Sequence, residues 1–152
     1  MGNPGWNAEC VGMCVCKRGT RFNAVQPVLE GVGSIFGSVE RGIARGLSLR
    51  LSHGSASCSE HFQHEINRLG ITPSFSFVEE PQTNGVVERF NRTLKEQVVY
   101  GRTFRNIDEV RTAMLDFRRE YNCQWRLVKL GFMTPLEARQ YYENECPRLV
   151  AA

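Results

Sequence analysis

Glu88, Arg92 and Lys95 stand at i, i+4 and i+7, a spacing that puts three side chains on one side of a helix. A carboxylate flanked by two cations suits a metal-dependent phosphodiester site. The acid holds a divalent ion and the cations grip a nucleic-acid backbone. A solvated helix face laced with ion pairs has the same pattern, and spacing alone favours that plainer reading. A second constellation, Cys58, His61 and His64, is spaced by threes. It offers three zinc ligands and no obvious fourth, so ordinary thiols and imidazoles are the simpler account.

The elements that must carry these residues are legible from periodicity. Val11, Met13 and Val15 alternate with Gly12, Cys14 and Cys16, the period of a short strand. A basic turn at Lys17, Arg18, Gly19 and Arg21 leads into helical spacing at Val25, Val28, Leu29, Val32, Phe36 and Val39, weakened by Gly31, Gly33 and Gly37. Leu47, Leu49 and Leu51 predict a second strand. Ser57 or Ser59 caps a helix carrying Phe62, Ile66 and Leu69, with Gly70 as its stop. Ile71, Pro73, Phe75 and Phe77 predict a third strand, and Pro73 places it at an edge or near its start.

A loop from Glu79 to Gly85 precedes the helix of interest. That helix has an apolar stripe of Val86 or Val87, Phe90, Leu94 and Val98, and it ends near Gly101. Asn106 and Glu109 form a capping-box pattern ahead of Ile107, Val110, Met114, Phe117 and Tyr121. Thr134 and Pro135 open a last helix through Tyr141 and Tyr142, whose rings read as helix packing. Strands alternating with helices predict an α/β fold.

Composition sets the limits. The 152 residues, 41% apolar and 23% charged, suit one domain and no disordered or coiled-coil chain. We divide the chain into an unstructured lead-in at 1–10, a core domain at 11–142 and a tail at 143–152. Nothing approaches the roughly 20 apolar residues of a membrane helix, and no signal peptide is visible, so the expected location is the cytoplasm with no membrane partner. Net charge is +3, but 16 of the 19 basic residues are Arg. That bias suits phosphate recognition and equally reflects coding composition. The only aspartates are Asp108 and Asp116, which excludes any mechanism needing an aspartate pair before residue 100.

The run from Arg45 to Tyr142 resembles the catalytic core of bacterial insertion-sequence transposases of the retroviral-integrase type. The matching stretches are ARGLSLRLSHGS, FQHEINRLGITPSFSF, EEPQTNGVVERFNRTLKEQVVYGRTF and FRREYNCQWRLVKLGFMTPLEAR. VGMCVCKRGTRFNAVQPVLEGV resembles the part just upstream. The Asn-Gly-x-x-Glu-Arg-Phe-x-Arg-Thr-Leu-Lys run and the closing Gly-Phe-x-Thr-Pro are specific signatures.

The resemblance implies an RNase H-like fold in which two aspartates and a glutamate hold two divalent ions, Mg or Mn. Those ions activate water or a DNA 3′-hydroxyl for in-line strand transfer. It maps the glutamate onto Glu88 as catalytic residue and metal ligand, and Arg89, Arg92 and Lys95 onto DNA-facing positions. The second aspartate falls at Ser52, a neutral hydroxyl where a hard dication wants a carboxylate. His53 beside it suits softer metals.

The first aspartate belongs to a strand expected before this sequence starts, so the sheet is expected to be incomplete and its edges open. The chain therefore reads as a truncated, inactive core of a DDE transposase for DNA integration, in which the metals are not productively bound. The alternative is a non-catalytic module that binds DNA or joins and poisons intact transposase subunits. Trp125 resembles the family's Tyr-Asn-x-x-Trp turn and is expected to pack under the catalytic helix, with base stacking as the other reading. Trp6 reads as a remnant of the lost strand. Ser52→Asp is expected to leave the chain unable to nick end-sequence DNA with magnesium, because the first strand is still missing; nicking by that variant would overturn the reading.

Overall fold

The computed structural model describes residues 7–51, 53–75 and 85–145, with only the backbone of Gly85 and Val86. Ser52, Trp6, Phe77, most of the loop before Gly85 and Cys146 lie outside the described residues. The chain forms two compact units, Val11–Asn91 and Arg92–Ala152 with Met1–Cys10.

In the first unit, Thr20 caps α1 (Arg21–Phe36). Its hydroxyl accepts the Asn23 N–H, and Asn23 Oδ1 accepts the Thr20 N–H, each at 3.3 Å. Gly37, at φ 78°, ends the helix in the left-handed conformation that glycine adopts at low cost. β1 (Ser48–Leu51), α2 (Glu60–Leu69) and β2 (Thr72–Phe75) form one β-α-β unit, and β1 and β2 pair in parallel with Leu49 opposite Pro73 and Leu51 opposite Phe75.

Ser59 caps α2 by accepting the Phe62 N–H at 3.3 Å, and Gly70 stops it at φ 84°. Phe62, Ile66 and Leu69, 3%, 0% and 0% exposed, join Val25, Val32, Ala44, Leu51 and Ile71 in one apolar core. Each fully buried aliphatic side chain there contributes about 1.5–3 kcal/mol.

The strand expected at Val11–Cys16 does not form; those residues have no regular secondary structure. They lie on α1 instead. A Cβ on Gly12 would overlap the Pro27 carbonyl oxygen, and one on Gly31 would stand 2.9 Å from Val11 Cγ2. The two glycines that weaken strand and helix are what let the backbones approach so closely. Met13 donates its N–H to the Glu30 carboxylate at 2.8 Å, so that hydrogen bond goes to a side chain and not to a ladder.

α3 (Gly85–Leu94) begins in the first unit, and its last residues, from Arg92, belong to the second; a π-helical turn (Lys95–Val99) follows it, and α4 (Ile107–Gln124), a 3-10 turn (Val128–Leu130) and α5 (Pro135–Glu145) complete the second unit. Asn106 Oδ1 accepts the Glu109 N–H at 2.9 Å, but the Glu109 carboxylate takes the N–H of Arg105 and not that of Asn106. The expected reciprocal box is thus displaced by one residue. The full box occurs at α5, where Thr134 and Glu137 exchange bonds of 3.2 and 2.9 Å, with Pro135 in the first turn.

Residues 8–10 form no helix or strand, yet they are held. The Asn122 side chain accepts the Cys10 N–H at 2.9 Å and donates to its carbonyl at 3.0 Å, while Glu9 pairs with Arg139 at 3.0 Å. Burial pushes the Glu9 carboxyl up, and Arg139 opposes that shift. Burial also raises the Tyr121 hydroxyl and lowers the Lys129 amine. Tyr141 and Tyr142 meet edge to face but are 51% and 41% exposed, so they are surface residues and not helix packing. No described helix is long and apolar enough to cross a membrane.

Gly12→Ala is expected to lower stability by about 1–3 kcal/mol through overpacking. Gly19→Ala, where nothing lies within 4 Å of the added carbon, should stay within about 0.5 kcal/mol. Thermal melts of the two variants check this, and equal effects would contradict the docking of residues 11–16 on α1.

Candidate functional site

α3 carries the residues singled out by spacing. Its residues are strongly amphipathic: Phe90 and Leu94 are half-buried, and Val98 just beyond is 2% exposed. Val87 is 60% exposed, so it takes no part in the stripe. Glu88 stands in the first turn, where the helix dipole favours an acid, and Arg92 in the last, where it favours a cation. Glu88, Arg89, Arg92 and Lys95 are all exposed. The helix and the turn after it therefore present Glu88 and Glu96 together with Arg89, Arg92 and Lys95 to solvent.

The π-turn decides what else shares that surface. Tyr100 donates its N–H to the Lys95 carbonyl at 2.8 Å, an i to i+5 bond. At about 100° per residue, an unbroken α-helix would bring Val99 within some 20° of the direction of Glu88, onto the charged side. Val98, four residues after Leu94 and eight after Phe90, stays on the apolar stripe either way. The extra residue in the turn takes Val99 off the charged direction. Sequence periodicity missed this, because a stripe ending at Val98 reads the same with or without one wide turn.

Other predicted ligands are not brought together. Cys58 precedes the Ser59 cap, so the helical phase of His61 and His64 does not extend to it. His61 lies against Phe22 with ring centroids 4.7 Å apart. His53 stacks on Phe75 at 5.3 Å and 21°. Among the described residues no three His, Cys, Asp or Glu side chains gather as metal ligands. The donor set thus does not fit a divalent pair: Glu88 is the described member, and the position matched to a second carboxylate is Ser52, outside the described residues.

A cavity of about 570 Å³ opens between the π-turn and α4, with Asp108, Glu109, Asp116 and Glu120 outnumbering Arg102 in its lining. That charge repels phosphate. Trp125 also lines it, half-buried and 6.0 Å from both Phe117 and Tyr121. The indole packs against rings of α4, and among the described residues no ring contact joins it to α3, under which the sequence places it.

Residues 69–135 match the family described as Integrase core domain. Over 78 residues the chain is 35% identical to the protein assigned as transposase InsK for insertion sequence element IS150 of Escherichia coli K12, an overlap covering 51% of this chain and 28% of that protein. The matched stretch is thus similar to an integrase core and to part of an insertion-sequence transposase.

Solved structures agree on an integrase-core fold. The catalytic core domain of BIV integrase is similar at a TM-score of 0.59 and 21% identity, over 87% of this chain and 78% of that one. A chain of the simian T-cell lymphotropic virus intasome, in complex with PP2A regulatory subunit B56 gamma, is similar at 0.54 and 22% identity, over 74% of this chain and 37% of that one. The RNase H-like assignment holds, and β1, α2 and β2 are its described β-α-β portion. Glu88→Gln is expected to change stability by less than about 0.5 kcal/mol, as an exposed substitution does. A larger fall in the melting transition would show that Glu88 supports the fold.

Proposed function

We propose that this integrase core belongs to a protein of DNA transposition, engages DNA through the exposed side of α3, and performs no strand transfer by itself. The observation that carries the reading is the set Glu88, Arg89, Arg92 and Lys95, exposed along α3 and the first residue of the turn after it, inside the matched stretch. Arg92 and Lys95 contact phosphates, fixing register without reading sequence. Glu88 takes the place of the family's glutamate.

Integrase-type chemistry generally depends on divalent metal. One carboxylate does not hold a hard dication against its hydration shell, so no step is assigned to a metal on this chain. Magnesium or manganese belongs to an assembly that supplies further carboxylates. DNA binding without cleavage is the activity left to the surface described.

Fluorescence anisotropy of the purified chain with duplex DNA, titrated across salt, tests this. Log affinity should fall linearly with log salt, and Arg92→Ala should lower that slope by about 1 while weakening all sequences alike. Absence of binding at low salt, or an unchanged slope in the variant, would remove the reading.

A further inference from the structure

The segment from Arg126 to Thr134 has a feature that neither the fold nor α3 uses. It closes on itself as a rigid knuckle. Leu127 donates to the Met133 carbonyl at 3.1 Å, and Phe132 donates back to the Leu127 carbonyl at 3.0 Å. Leu130 is buried at 8% exposure and roots the 3-10 turn. Gly131 and Phe132 then both take φ 64°, in the left-handed region. For glycine this is free, but for a bulky L-residue it is an outlier. Arg126 Nη1 pins the turn from outside, donating to the Phe132 carbonyl at 3.0 Å and to Glu137 at 3.2 Å.

The ring held in this strained backbone packs on little of the unit. Phe132 is 63% exposed, and Val128 on the same knuckle is 75% exposed. Glycine at 132 would relieve the backbone, and a polar residue would relieve the exposure. Phenylalanine does neither. Strain kept together with an exposed aromatic points to a contact made by the ring itself.

Charge selects the partner. Arg126 reaches the Phe132 carbonyl, Lys129 is exposed on the same knuckle, and Glu137, the acid at the turn, is already paired with Arg126. An exposed aromatic ring on a hydrogen-bonded turn that also carries cations has the makings of a base-stacking platform or wedge, where the π-face meets a base and the cations meet phosphates.

We infer that Phe132 is a second DNA contact of this chain, stacking on a base exposed at an unpaired end or opened step. Lys129 lies at the neighbouring phosphate, and Arg126 is the positioning residue that holds the turn. The inference rests on the DNA-engaging reading above, and the experiment separates the two.

The full chain is titrated with a labelled duplex whose short overhang carries 2-aminopurine, whose fluorescence reports stacking. Phe132→Gly keeps the left-handed backbone, so its melting transition should stay at or above that of the unchanged chain. It should lose the fluorescence quench and roughly tenfold in affinity, with the salt slope unchanged because no phosphate contact is removed. Phe132→Tyr should restore both quench and affinity. Phe132→Gly binding and quenching like the unchanged chain, while Arg92→Ala still weakens binding, would overturn this inference and leave the α3 reading standing. No binding by the unchanged chain at low salt would overturn both. A change of oligomeric state in Phe132→Gly, with DNA binding intact, would assign the ring to a protein partner and overturn the inference as well.

Discussion

Burial of one side of α2 is the constraint on which the first unit depends. Phe62, Ile66 and Leu69 join side chains of α1, β1 and the entry to β2 in one core. The parallel pairing of β1 with β2 needs a crossover between them, and α2 is that crossover. Its two ends are fixed by local chemistry, a serine cap and a left-handed glycine, so length, direction and buried side are set together. Gly70 also brings the chain close against Arg45, where an added Cβ would stand 3.1 Å from the Arg45 Cα. Sheet, helix and return loop thus form one packing solution.

The exposed side of α3 follows a different rule. Its charged residues are those it leaves to solvent, and a long helix drifts away from any straight stripe at 3.6 residues per turn. The π-turn at Lys95–Val99 shifts Val99 off the charged direction while Val98 stays buried. Wide turns of this kind recur at functional sites. The second unit holds its own parts by polar clamps: Asn122 on the Cys10 peptide, Arg139 on Glu9, and Arg126 across the 126–134 turn. These bonds fix segments too short to bury an apolar side of their own.

Charge differs from one part of the chain to another. An acid-lined cavity beside α4 repels phosphate, while the exposed residues of α3 and the 126–134 knuckle include cations. A single family carboxylate among described residues is enough to mark the position of a site and too little to hold hard metal ions. Phosphate contacts need only cations in register, whereas strand transfer needs a full ligand set.

The sequence by itself determined the elements with strong local signals. The α2 caps, the Thr134–Pro135 start, the β1 and β2 segments and the period of α4 were all legible, because each depends on residues within a turn or two of one another. So were the integrase resemblance and the charged row from Glu88 to Lys95. Only tertiary structure decided the rest. Val11–Cys16 alternates like a strand but lies on α1, because Gly12 and Gly31 admit a close approach between segments far apart in sequence. Asn122 was visible in its motif, yet its partner, the Cys10 peptide, is 112 residues away. Cys58, His61 and His64 share a spacing but no site, since a cap separates the first from the helix. The left-handed Phe132 gave no local sign at all, because its backbone is set by bonds across a turn and by Arg126 reaching over it. Local periodicity fixes what an element is, and long-range packing and hydrogen bonding fix what its side chains meet.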